Sequence, residues 1–84
     1  MNLDIDEDIY CLLELIFTCS GVPISAYTLA KVLTRKEHPL SQDFPKIIQS
    51  LEAMLKDGLI QRESINAGYV ISEKGKKVFT ELKS

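Results

Sequence analysis

The sequence predicts a mainly α fold with a small β-hairpin (α+β), in the order helix, short strand, helix, helix, hairpin, helix. Three observations carry this. Apolar residues recur at helical spacing in separate stretches along the chain. Asp57-Gly58 ends one of those stretches with a residue able to take the left-handed conformation. Beyond it, Leu59-Ile60 and Tyr69-Val70-Ile71 flank the turn residues Asn66-Ala67-Gly68. Eighty-four residues suffice for one modest core but not for a core plus a separate catalytic domain, so residues 1–84 read as a single domain.

Ile5, Ile9, Leu12, Leu13, Ile16 and Phe17 follow the period of an apolar helix face, predicting a first helix from about Asp4 to Cys19. Tyr10, Cys11 and Leu15 lie off that stripe, and Glu14 is the sole charge between Ile9 and Phe17. The helix is therefore apolar nearly all round. That surplus points to self-association or a partner surface, the alternative being that neighbouring helices wrap it. Ser20-Gly21 breaks the helix, and Val22-Pro23-Ile24 is extended because proline disfavours a helical residue before it.

Ser25 caps a second helix carrying Ala26, Leu29, Ala30, Val32 and Leu33, expected to stop near Thr34. Arg35 to Leu40 forms the following turn. Ser41, Asp43 and Pro45 signal the third helix, in which Ile47, Leu51 and Met54 form the apolar face as far as Lys56 or Asp57. After the hairpin, Ser72 caps a last helix, with Glu73 placed against the positive end of its dipole. Val78, Phe79 and Leu82 are expected to pack that helix on the first.

Two phrases in this stretch carry a family resemblance. One is Ile47-x3-Leu51-x2-Met54-x3-Gly58-Leu59-Ile60-x-Arg62, and the other is Gly68-Tyr69-Val70-Ile71-Ser72-Glu73-Lys74-Gly75-Lys76. In these the chain resembles the winged-helix (winged helix-turn-helix) superfamily, particularly small bacterial and phage regulators of the MarR and PadR kind. The first phrase matches the end of that family's recognition helix, and the second the exit of its wing. Together they cover under half of the chain. The resemblance implies that residues 22–24 form a short first strand and that the third helix, about 43–57, enters a DNA major groove. It also implies that the last helix helps form a homodimer. The turn before the third helix is longer than the three or four residues of the tightest helix-turn-helix units.

Composition bounds the function. A hydrophobic fraction of 45% with 26% charged residues is that of a folded globular chain. No apolar run approaches the roughly 20 residues that span a bilayer, and the acidic N-terminus lacks the basic start of a secretion signal. A cytoplasmic location without membrane contact is expected. Cys11 and Cys19 fall in one predicted helix about 12 Å apart, at about 1.5 Å per residue, and are expected as reduced thiols. With one histidine, no glycine-rich phosphate loop and no metal-ligand motif, the chain reads as a non-enzyme without a cofactor or metal. His38 reads as a solvated turn histidine.

The net charge of −2 runs against the basic footprint of most DNA binders. Its distribution softens the objection: five acids and no base occupy the first fourteen residues, leaving a body of +3 from seven acids and ten bases. On the third helix, Ser41, Gln42, Lys46, Gln49 and Ser50 are the candidate groove-facing residues. Glutamine suits paired hydrogen bonds to adenine, and lysine suits guanine or phosphate. Asp43 would repel phosphate unless it caps the helix. Arg62 at the base of the wing, with Lys74, Lys76 and Lys77 after it, supplies candidate phosphate contacts, the alternative for the lysines being a solvated helix face that balances Glu73 and Glu81. Arg62 has pairing with Glu63 or Glu73 as its alternative. The wing tip, residues 63–68, contains no base but carries Ile65. Candidate interface residues are Ile9, Tyr10, Leu13, Phe17, Phe79 and Leu82. Two functions follow as expectations. The first is a small DNA-binding transcription regulator acting on double-stranded DNA as a homodimer. The second is an interaction module whose target is another protein, such as a phage-encoded inhibitor or a regulator's partner.

Overall fold

The computed structural model describes residues 6–19, 21–64 and 68–83. Its elements are α1 (Glu7–Thr18), α2 (Ala26–Arg35), a 3-10 turn (Pro39–Gln42), α3 (Phe44–Lys56), β1 (Ile60–Ser64), β2 (Gly68–Ile71) and α4 (Glu73–Lys83). The fold is mainly helical with a two-stranded antiparallel hairpin, as the periodicity predicts.

Each helix starts at a side chain that accepts a backbone hydrogen bond. Asp6 accepts from Ile9 N–H at 2.8 Å, Ser25 from Thr28 N–H at 3.1 Å, and Asp43 from Lys46 N–H at 3.2 Å. The first helix thus begins at Glu7, with its cap at Asp6, rather than near Asp4, which lies outside the described residues together with Ile5. The third begins at Phe44. It ends as the sequence predicts: Gly58 takes a φ of 77°, and the Leu59 N–H returns to the Met54 carbonyl at 2.9 Å.

Ser72 has two roles at the start of α4. Its hydroxyl oxygen accepts from Gly75 N–H at 2.9 Å and its O–H donates to the Gly58 carbonyl, joining the end of α3 to the beginning of α4. Ser72 is buried. Ser72→Ala is expected to destabilise the domain by about 1–2 kcal/mol, because the cap on Gly75 N–H and the hydroxyl donor to the Gly58 carbonyl are lost together. The measurement is the midpoint of urea unfolding; an unchanged midpoint would contradict the linkage.

The hairpin pairs Ile60 with Ile71, Gln61 with Val70 and Arg62 with Tyr69, and the register shifts between Arg62 and Ser64 in a bulge. Residues 65–67, including Ile65, lie outside the described residues. The extended segment at 22–24 is shorter than a strand. Only Ile24 pairs, exchanging hydrogen bonds of 3.0 and 2.9 Å with Tyr69, so β2 lies between β1 and a single bridging residue.

The core runs through all of these elements: Leu12, Leu13 and Ile16 from α1, Leu29 and Leu33 from α2, Ile47, Leu51 and Met54 from α3, and Leu59, Ile60 and Phe79 beyond. The all-round apolar character of α1 is absorbed by the chain itself. Leu15 is 9% exposed, and Tyr10, Cys11 and Phe17 pack partly buried against the core. Among the described residues, the large apolar side chains left exposed are Val22, Tyr27 and Leu82. No helix among those residues is long and apolar enough to cross a membrane.

Candidate nucleic-acid interface

Helix α3 turns Ile47, Leu51 and Met54 inward, and the i, i+4, i+7 spacing then puts Pro45, Gln49, Glu52 and Lys56 on its exposed side, with Lys46 beside them. Lys46 and Gln49 therefore stand on the outer face where the sequence puts them. Ser50 does not: it is 8% exposed, on the same side of the helix as Ile47 and Met54. Ser41 and Gln42 are not in α3 but in the preceding 3-10 turn, anchored by the buried Leu40. Asp43 is the cap, which directs its carboxylate to the Lys46 N–H.

The cations are dispersed. Lys46 Nζ lies 3.2 Å from Asp8 Oδ2 at the start of α1, and this hydrogen-bonded carboxylate holds the Lys46 ammonium above the usual lysine range. The Lys74 side chain passes Gly58, at the opposite end of α3, where a Cβ would lie 3.7 Å from Lys74 Cδ. Lys46 and Gly58 are separated by about 18 Å at 1.5 Å per residue. Lys76 Nζ sits 3.4 Å from Glu73, and Lys77 is exposed. The lysine cluster and the N-terminal face of α3 are thus at two ends of the helix.

Arg62 has a partner that the sequence reading missed. Its Nη2 donates to Tyr69 Oη at 2.8 Å, and its guanidinium lies 5.2 Å from the Tyr69 ring centroid. Both residues line a groove of about 340 Å³ with Ser25, Tyr27, Phe44 and Ile48. Tyr27 and Phe44 stack at 5.1 Å with 19° between ring planes, and Tyr27 is 73% exposed. The sequence held one signal for this groove. Tyr27 falls off the apolar stripe of α2, an aromatic ring at a solvent position.

The candidate interface residues divide differently from the expectation. Ile9, Leu13 and Phe79 are buried inside the chain, at 9%, 0% and 2% exposure, and are not on its surface. Tyr10 and Phe17 are half-buried against Phe79, with ring centroids 5.5 and 4.7 Å away, while Leu82 is exposed. A second cavity of about 260 Å³ opens beside Phe17 and Phe79, near Lys83.

Cys11 and Cys19 are free thiols, both partly buried. Burial pushes the Cys11 thiol up; Lys36 works against this, and Glu14, Asp8 and Glu7 reinforce it. Alkylation of Cys11 by iodoacetamide at neutral pH is expected to be slower in the folded protein than in urea, followed by mass spectrometry. The linkage has a definite sign. As pH rises past the ordinary thiol range, the unfolded chain releases this proton first, so stability is unaffected below that range and falls above it. Among the described residues, no group of three or more His, Cys, Asp or Glu side chains is placed to hold a metal.

The fold and this face define a small mainly helical α+β domain with an outward polar helix and an aromatic groove beside its hairpin. No protein-family model, curated protein or solved structure matches the chain.

Proposed function

We propose that the chain is a small winged-helix nucleic-acid-binding regulator of transcription, with α3 as the helix that enters the major groove of double-stranded DNA and the hairpin as its wing. The observation that supports this reading is the arrangement of α3. Its inner face is fixed in the core, and Lys46 and Gln49 stand exposed within its first two turns, where a groove-bound helix reaches base edges. The Asp8–Lys46 contact is a partly exposed ion pair, weak enough for phosphate to displace. The homodimer and the cytoplasmic location belong to the same proposal.

The test is fluorescence anisotropy of labelled duplex DNA at low and near-physiological salt. Binding is expected to weaken steeply with salt, as counterion release requires. Changing Lys46 and Gln49 together to alanine is expected to weaken it by about tenfold or more, and loss of the lysine to reduce the salt slope by about one. Affinity unchanged by both substitutions would overturn this docking.

A second reading, a winged-helix module that binds another protein, is favoured by one specific feature. The net charge of −2, which runs against a phosphate-binding footprint, coexists with exposed Val22, Tyr27 and Leu82. Absence of duplex binding by folded protein at low salt would favour it.

A further inference from the structure

We infer that the groove between α2, α3 and the hairpin is a subsite for an unpaired nucleotide, its base stacking on Tyr27 and its phosphate meeting Arg62. This rests on the nucleic-acid reading above and extends it from duplex to single-stranded DNA. Tyr27 already stacks on Phe44 with one face, at 5.1 Å and 19°. At 73% exposure the ring is mostly open to solvent, so a flat base continues an existing stack without displacing any protein contact. Arg62 lines the same groove and is, among the described residues, the sole charged one lining it. Among the described residues it gives one of its five N–H donors, to Tyr69, with others to offer a phosphate oxygen.

The electrostatics favour this ligand. With a net charge of −2 and its lysines on α3 and α4 outside the groove, the chain offers a ligand in the groove little phosphate attraction beyond Arg62. Stacking is independent of net charge and requires a π-face, which a duplex conceals inside its helix and a single strand presents. An aromatic stack with one arginine beside it is therefore better matched to an unpaired strand than to a duplex backbone.

The test uses the intact protein with fluorescein-labelled oligodeoxythymidylate, an abasic strand of equal length, and a duplex. The thymidylate strand is expected to bind more tightly than the abasic strand. Tyr27→Ala is expected to weaken it about tenfold and Tyr27→Phe to leave it nearly unchanged, since the stack needs the ring and not the hydroxyl. Because Tyr27 is exposed, urea unfolding of Tyr27→Phe should match the parent, and Tyr27→Ala should lose no more than the Phe44 stack and stay folded. Equal binding of the abasic strand, or thymidylate binding indifferent to Tyr27→Ala, overturns the subsite. Duplex binding without single-strand binding also overturns it while leaving the regulator reading intact; binding of neither overturns both.

Discussion

Gly75→Ala is expected to destabilise the domain by about 3 kcal/mol or more, the upper end of what overpacking costs. For a chain of this size, total stability is about 4–13 kcal/mol. Gly75 is buried in the first turn of α4, and a Cβ there would fall on the Leu59 carbonyl oxygen, 2.9 Å from Ile71 Cγ1 and 3.0 Å from the Leu59 carbonyl carbon. A flexible side chain would move aside; this neighbour is backbone. The Leu59 carbonyl accepts from Ser72 N–H at 3.1 Å, and Ser72 is itself tied to Gly58 and Gly75. In an open helix the same substitution would stabilise by up to about 1 kcal/mol through helix propensity. Contact with fixed backbone outweighs that gain. Urea unfolding with an unchanged slope and a lowered midpoint is the expected record. A midpoint equal to or above the parent's would mean that α4 does not sit against Leu59 in this way.

Phe79→Ala is expected to cost about 3–5 kcal/mol. The ring is 2% exposed and lies between Tyr10 and Phe17, so its removal takes both aromatic contacts and opens a cavity between α1 and α4. Phe79→Leu, nearer in volume, should cost far less. The result separates two accounts of this residue. Were Phe79 a surface reserved for a second chain, truncation would leave the monomer's stability nearly unchanged and act on association. A large fall in the unfolding midpoint, independent of protein concentration, is the outcome that the packing requires. A loss below about 1 kcal/mol would sink it.

The local course of the chain was legible because its signals act over a few residues. Ser25 and Ser72 cap, Asp57-Gly58 stops a helix, and the turn residues at 66–68 separate two runs of strand formers. The helix and strand positions follow from backbone hydrogen bonds that these side chains satisfy or block. The short strand expected at 22–24 is reduced to the single bridge of Ile24 to Tyr69, and Pro23 before it has no N–H to extend the ladder. Ser41, Asp43 and Pro45 all signal a helix start; Asp43 is the one that caps α3, and Pro39–Gln42 closes into a 3-10 turn that holds Ser41 and Gln42 ahead of the helix.

The candidate site was less legible, for a different reason. Periodicity identifies an apolar face but not the width of the surface that covers it. Ser50 adjoins that face by sequence, and the packing of α3 carries it under. Ile9, Leu13 and Phe79 belong to a helix pair whose apolar residues exceed one stripe, and only the arrangement of α1, α3, α4 and the hairpin decides that the chain covers them itself. The Asp8–Lys46 ion pair joins residues 38 positions apart, and the groove collects Tyr27, Phe44, Arg62 and Tyr69 from four elements. By itself, then, the sequence determined the identity and order of the helices and hairpin, because those depend on neighbours along the chain. The tertiary structure alone decided which polar residues remain outside and which rings meet, because burial and contact depend on elements that come together only when the chain has folded.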